Sequence, residues 1–298
     1  MTLRDYRSDA VRVCVPASSA NLGPGFDAMA LALDLLDEYE VEITATPGVC
    51  VAASGESATE VPTDETHLVA RAFITALAAF DAELGDRGAQ LTCINRIPHG
   101  RGLGSSAAAI VGGVRLAAEL VGDVAPERVL DVATGLEGHP DNAAAALLGG
   151  FVVAWTADHT QALSLKVHPD LRAVLFVPQD RSPTAAARRA LPELIPHAAA
   201  AFNAARSALL LHAITQEPEL LWTATQDQLH QEQRRATYPA SMALVDQLRS
   251  RGWPAVISGA GPTVLVLTPA AGLAALRSEA TTGFQLRELA IMLPSVDR

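Results

Sequence analysis

Residues 98 to 108 read Pro98-His99-Gly100-Arg101-Gly102-Leu103-Gly104-Ser105-Ser106-Ala107-Ala108, with three glycines in five positions. Gln90 to Arg96 before them has strand character, and Ala109 to Val121 after them carries small and apolar residues at helical spacing. The chain therefore has to pass from strand to helix on a segment that glycine frees to take left-handed backbone. At such a helix start the backbone N–H groups and the positive dipole end converge, and small residues let a phosphate approach closely. A strand-to-helix turn that binds nothing fits the same glycines. The run contains no lysine and lacks the Gly-Lys-Ser/Thr ending, and Gly-x-Gly-x-x-Gly spacing is absent, so neither a Walker A loop nor a dinucleotide fingerprint is present.

The rest of the chain limits what this turn serves. At 298 residues and 49% hydrophobic it has material for one large or two medium domains. Aromatic residues are only 4%, so an alanine-rich core implies slim, closely packed helices. The formal charge is 22 − 33 = −11 with no basic tract, which excludes a nucleic-acid partner. A phosphate ligand would need local positive potential from backbone dipoles, a metal ion and a few arginines. Cys14, Cys50 and Cys93 are scattered and odd in number, as reduced thiols are. The first ten residues are polar, and no apolar run reaches the roughly 20 residues that span a membrane. The expectation is a cytoplasmic protein without a membrane partner.

Alternation over Val11–Val15, Ala28–Asp34 and Tyr39–Ala45 predicts strands, the first stopping at Pro16. Residues 46 to 65 read as a loop or hairpin, His67–Glu83 as a helix, Pro126–Gly135 and Asn142–Leu148 as helices, and Phe151–Trp155 as a strand. In the second half, Leu163–Val167, Ala173–Pro178, Ala255–Ile257 and Val264–Leu267 read as strands. Thr184–Leu191, Ala198–Ile214, Glu217–Thr225 and Met242–Arg251 read as helices. The plain organisation is a two-lobed α+β chain, with domains over 1–157 and 158–298.

Five further segments carry chemistry. In Pro16-Ala-Ser-Ser-Ala-Asn-Leu-Gly-Pro-Gly-Phe-Asp27 a fixed turn displays Asn21 and Asp27, which in a bare turn simply cap backbone N–H groups. Leu136-Glu-Gly-His-Pro-Asp-Asn142 sets Glu137 four residues before Asp141; its His139 has no partner at ligand spacing and reads as a turn histidine. Ser182 to Pro192 and Asp227 to Pro239 contribute Thr184, Arg188 and Arg234 on what are otherwise solvated helix faces, and Ile257-Ser-Gly-Ala-Gly-Pro-Thr-Val264 is a second glycine turn.

Pro-x-x-x-Gly-Leu-Gly-Ser-Ser-Ala-Ala resembles the central motif of the GHMP kinases. Pro16-Ala-Ser-Ser-Ala-Asn-Leu-Gly-Pro-Gly-Phe-Asp27 resembles the opening signature of the homoserine kinase family within them. Glu-Gly-His-Pro-Asp-Asn, Thr-x-x-x-Arg-x-x-Leu-Pro, an arginine five residues before Pro239, and Gly-x-Gly-Pro-Thr follow in the family's order, with Gln233 and Ala240 departing from its usual Tyr and Gly. The resemblance implies the two-domain GHMP kinase fold, an N-terminal domain like ribosomal protein S5 domain 2 and a ferredoxin-like C-terminal domain. It implies transfer of phosphate from ATP to L-homoserine, a step toward threonine, by a homodimer. ATP would lie on residues 98 to 108, and Mg²⁺ on Ser106 and Glu137. Asn21 would hold the substrate hydroxyl, Asp27, Asp141 and Asn142 would face the amino acid, Arg188 and Arg234 would hold its carboxylate, and Thr184 would lie near the reacting end. Asp141 stays open as a base, and the adenine is expected near residues 60 to 75 and the start of the loop helix. Another GHMP kinase of the mevalonate or phosphomevalonate type, or a non-catalytic binding protein of this fold, remain the alternatives.

Overall fold

The computed structural model describes residues 10–181, 184–279 and 281–295. The elements are β1 (Val11–Asn21), β2 (Gly25–Thr44), β3 (Gly48–Gly55), α1 (Leu68–Ala79), β4 (Gly88–Asn95), α2 (Ser105–Val121), α3 (Pro126–Glu137), α4 (Pro140–Leu148), β5 (Phe151–Thr156), β6 (Thr160–Leu165), β7 (Leu171–Pro178), α5 (Thr184–Arg189), α6 (His197–Thr215), α7 (Leu221–Ala224), α8 (Pro239–Ser250), β8 (Ala255–Ile257), β9 (Val264–Pro269), α9 (Leu273–Arg277) and β10 (Phe284–Leu289). A 3-10 helix over Glu232–Thr237 precedes α8.

The first sheet runs β3-β4-β2-β5-β6, with β1 also on β2. β2 is the organiser. Its C-terminal half pairs with β4, its N-terminal end pairs with β5, and β1 lies along nearly its whole length. The strand expected to stop at Pro16 continues to Asn21, because the register shifts between Pro16 and Ala17. A bulge is where a residue without an N–H is tolerated in a strand. Likewise Ala28–Asp34 and Tyr39–Ala45 are parts of one strand, and the expected loop at 46–65 contains β3, paired in parallel with β4.

Helices α2 to α4 pack against this sheet, and α1 packs on α2. Small residues set how closely they approach: a Cβ on Gly113 of α2 would stand 2.4 Å from the Val69 carbonyl of α1, and one on Gly112 would stand 2.3 Å from the Tyr39 ring. The scarcity of aromatics is matched by a core filled with fully buried alanines such as Ala70, Ala76, Ala108 and Ala117.

The second sheet runs β10-β7-β9-β8, antiparallel throughout, which in chain order is the 4-1-3-2 of a ferredoxin-like domain. Strand alternation divides its side chains between two cores. Val174, Phe176 and Val266 pack with Met242, Val245 and Leu248 of α8, whereas Ala173, Leu175 and Leu265 face the cluster shared with α6 and the first sheet. The Glu217–Thr225 helix is in fact a 3-10 turn followed by the short α7. After β10 the chain returns to the first sheet, where the Met292 N–H donates to the Ala32 carbonyl. We place the domain division between Leu165 and Leu171, which keeps β6 with its sheet, rather than at 157/158.

Candidate active site

Three loops meet where the two sheets face each other: the β1–β2 turn, the glycine loop between β4 and α2, and the β8–β9 turn. Gly100, Gly102 and Gly104 all have φ between 67° and 70°. At two of them the need is steric as well. A Cβ on Gly102 would lie 2.2 Å from the Ser258 carbonyl oxygen, and one on Gly104 would lie 2.0 Å from the Ser18 hydroxyl. The Ser258 hydroxyl bonds to Ser19 at 2.7 Å and donates to the Gly102 carbonyl at 2.6 Å, and the Gly259 N–H donates to Ala20 at 3.0 Å. The β8–β9 turn thus clamps the glycine loop against the signature turn.

These loops enclose a cavity of about 190 Å³, lined by Asn21, Asp27, Gly100, Gly102, Gly104, Ser105, Ser106, Glu137, His139, Asp141, Asn142, Arg188, Arg234, Gly259 and Ala260. Apart from Thr184, whose side chain lies outside the described residues, every residue singled out beyond the glycine loop therefore reaches one site. Within the loop the picture is narrower than the eleven-residue expectation. Leu103, Ala107 and Ala108 are core residues. Arg101 turns away, its guanidinium donating to the carbonyls of Pro178, Gln179 and His99. Pro98 lines another surface with Arg101, and His99 faces an apolar cavity.

The individual side chains are more engaged with one another than expected. Asn21, itself at φ 68°, donates from Nδ2 to the Gly259 carbonyl at 2.8 Å and accepts the Asp27 N–H on Oδ1 at 3.0 Å. One donor and one lone pair remain for a ligand. Asp27 and Arg188, expected on opposite ends of an amino acid, pair with each other through bonds of 2.8 and 3.1 Å. That hydrogen bond and the charge of Asp27 raise the Arg188 guanidinium despite partial burial. Arg234 is 1% exposed. Its Nε donates to the Ala187 carbonyl at 3.0 Å, and among the described residues no carboxylate lies within ion-pair distance of it. Burial pulls its pKa down, against the charges of Asp27 and Asp227 acting from beyond ion-pair distance, so it is a desolvated cation with no carboxylate in direct contact.

On the opposite wall Ser106 donates to Glu137 at 2.8 Å. Burial pushes the Glu137 carboxyl up, against the opposing hydrogen bond from Ser106 and the charge of His139. His139 holds Asp141 through Nδ1 at 3.1 Å. Burial lowers its imidazolium, but the bond and charge of Asp141 and the charge of Glu137 outweigh this, and the net direction is up. Asp141 also accepts the Asn142 N–H at 2.7 Å, and Asn142 Oδ1 accepts from Ser18 at 2.8 Å. Among the described residues no cluster of three or more His, Cys, Asp or Glu converges as a metal cage. One buried carboxylate beside a hydroxyl is instead the sparse, hard-oxygen set that suits Mg²⁺ shared with substrate phosphates.

Beyond the glycine loop, a cavity of about 290 Å³ lies under residues 61–69 and the start of α2, lined by Tyr39, Val61, Pro62, Leu68, His99 and Ala109 among others. It falls where the adenine was expected. The sequence reading did not single out Ser18, Ser258, Phe26 or His230, although each stands inside a segment it had quoted.

The model of the GHMP kinases N-terminal domain matches residues 67–150, and that of the GHMP kinases C-terminal domain matches residues 198–286. The homoserine kinase of Streptomyces avermitilis is 47% identical over 292 residues, 96% of this chain and 94% of that protein. The chain belongs to the homoserine kinase family of the GHMP kinases. The homoserine kinase of Streptomyces coelicolor is 50% identical over 89% of this chain and 86% of its own. Among solved structures, homoserine kinase from Cytophaga hutchinsonii superposes with a TM-score of 0.84 at 26% identity, covering 95% of both chains. Mevalonate kinase from L. major, with a TM-score of 0.69 at 15% identity, shares the fold. No described helix is long and apolar enough to cross a membrane.

Proposed function

We propose that this protein transfers the γ-phosphoryl group of ATP to the side-chain hydroxyl of L-homoserine, giving ADP and O-phospho-L-homoserine. The observation that carries the acceptor is the charge arrangement beside the phosphate loop. Arg234 is buried without a carboxylate, and Arg188 and Asp27 form a partly exposed pair of opposite charges. A zwitterion exchanges that single pair for two: its carboxylate takes the Arg188 and Arg234 guanidiniums, and its ammonium takes Asp27. An isoprenoid alcohol or a sugar brings neither head group and would leave Arg234 uncompensated.

Phosphoryl transfer asks chiefly for alignment and charge neutralisation. The N–H groups at the start of α2 and around Gly100, Gly102 and Gly104 receive the phosphates, and the base lies in the apolar cavity beside Tyr39 and Leu68. Ser106 and Glu137 are the residues that would hold Mg²⁺, which would supply charge neutralisation to the phosphates. Asn21 offers its remaining amide hydrogen-bonding capacity to the substrate hydroxyl. Asn142 and Asp141 close the site around the amino acid. Asp141 takes both His139 and the Asn142 N–H on the same oxygen, Oδ1, and serves to hold that wall of the site, while the hydroxyl proton passes to the transferred phosphoryl group. Assembly as a cytoplasmic homodimer completes the proposal, and light scattering of the purified protein tests its dimeric part.

ADP release measured separately with L-homoserine, mevalonate, phosphomevalonate and galactose tests the reading. Turnover with L-homoserine alone is expected. Turnover with mevalonate in its place, or with none of the four, overturns it.

A further inference from the structure

The segment that supplies Arg234 also buries a histidine that binding and transfer have not so far required. His230 is 0% exposed. Its Nε2 lies 2.7 Å from the Gly23 carbonyl oxygen of the signature turn, and its Nδ1 lies 3.2 Å from Nη1 of Arg234. A carbonyl only accepts, and a guanidinium only donates. One protonation state satisfies both partners: a neutral ring with its hydrogen on Nε2 and a free lone pair on Nδ1. The imidazolium would turn an N–H against the guanidinium, and the other neutral tautomer would lose both bonds.

We propose that His230 is a positioning residue that holds the Arg234 guanidinium on the substrate carboxylate by accepting its Nη1–H, itself held in register by the Gly23 carbonyl. This rests on the reading of Arg234 as a carboxylate ligand. Complete burial pushes the imidazole down, in the direction the geometry requires. The main chain that carries the ring is anchored, because Asp227 accepts the backbone N–H of His230 at 3.0 Å. The Phe26 ring, 5.1 Å from the imidazole and 5.3 Å from the Arg234 guanidinium carbon, packs against both. With Nε on Ala187, Nη1 on His230 and the Tyr238 hydroxyl beside the guanidinium, it is the hydrogens turned toward the cavity that are left for a ligand. The signature turn and the carboxylate site are therefore linked through one imidazole.

Two substitutions separate the ring's nitrogens. His230→Asn places an amide oxygen near the Nδ1 position and so keeps an acceptor for Arg234, while giving up Gly23. His230→Gln reaches Gly23 but leaves Arg234 without its acceptor. Steady-state kinetics of the full chain should show the KM for L-homoserine raised about tenfold in His230→Gln and little changed in His230→Asn, with the KM for ATP unmoved in both. Equal losses in both variants, or parallel rises in both KM values, would mean that the histidine only fills space, and the proposal fails. Arg234→Gln distinguishes the two levels. If it leaves the KM for L-homoserine unchanged, the carboxylate reading itself falls. If it raises that KM while His230→Gln does not, the reading stands and the positioning role falls. Nitrogen NMR of the imidazole in the unaltered protein needs no variant: protonated Nε2 with unprotonated Nδ1 is expected, and an imidazolium or the opposite tautomer at neutral pH overturns the proposal.

Discussion

Arg188→Ala probes the acceptor site directly, and the structure sets its magnitude. Arg188 meets Asp27 through two hydrogen bonds of 2.8 and 3.1 Å, with 38% of the arginine side chain and 34% of the aspartate exposed. A guanidinium fork on the substrate carboxylate makes two charge-assisted bonds, together about 3 kcal/mol when each is taken near the low end of the usual range. Releasing Arg188 from a solvent-screened pair costs up to about 1 kcal/mol. The net contribution of Arg188 is then about 2 kcal/mol, or a KM for L-homoserine raised roughly 30-fold in the alanine variant. The KM for ATP should hold, because the glycine loop takes its conformation from Ser18, Ser258 and Gly261 rather than from Arg188. Initial rates by coupled ADP detection, varying each substrate at saturation of the other, measure both constants. Equal rises in the two KM values, or an unchanged KM for L-homoserine, would refute the exchange of ion pairs.

Gly102→Ala has to hold φ at 70° with a Cβ 2.2 Å from the Ser258 oxygen, so the two glycine turns must separate. The left-handed backbone alone costs about 1–2 kcal/mol, and calorimetry should show a Tm lowered by about 4 °C or more together with a lower kcat; an unshifted melt counts against the clamp. Glu137→Gln keeps the shape facing Ser106 but removes the charge, and kcat should fall about a hundredfold while the Mg²⁺ concentration for half-maximal rate rises. A variant with an unchanged Mg²⁺ dependence would place the ion elsewhere. Asp37 gives a pH signature. Burial raises its carboxyl above the ordinary 3.8 despite donors from Arg96, Ile97 and Tyr39. The folded state therefore keeps a proton that the unfolded chain releases, and stability from this group falls as pH rises through the window above 3.8. Asp37→Asn retains an acceptor for both amides and cannot titrate. Its Tm relative to the parent should improve as pH rises above 3.8 and then level off, and a difference independent of pH would refute this assignment.

The fold was legible where local chemistry and tertiary structure agree. The glycine loop has to separate a strand from a helix, and β4 and α2 lie on either side of it. Pro16 misleads because its missing N–H is absorbed by a register shift that only pairing with β2 creates. β3 is hard to read because most of Gly48–Gly55 is exposed or half-buried at a sheet edge, so its alternation is weak among Pro, Gly and Ser neighbours. The domain boundary is hard to read for a related reason. Nothing local distinguishes β6 from β7; only pairing of Thr160–Leu165 with β5 assigns it to the first sheet.

The site was legible as an inventory and much less so as a set of bonds, and the reason lies in the hydrogen-bonding capacity of its side chains. Residue type states what Asn21, Asp27, Arg188 and Arg234 can do; it does not state how much of that capacity the protein spends on itself. Asn21 spends half of its amide joining Asp27 to Gly259, 238 residues away. Asp27 and Arg188 spend their charges on each other, 161 residues apart. Arg234 gives donors to Ala187 and His230, lies beside the Tyr238 hydroxyl, and still lines the cavity. Their availability to a ligand follows from this accounting. Arg188 and Asp27 are both released by a zwitterion, which offers each a replacement partner. Arg234 is held ready before the ligand arrives. A substrate with only one of the two charges would open the Asp27–Arg188 pair and leave one member alone, so the pair discriminates by what it loses as well as by what it gains.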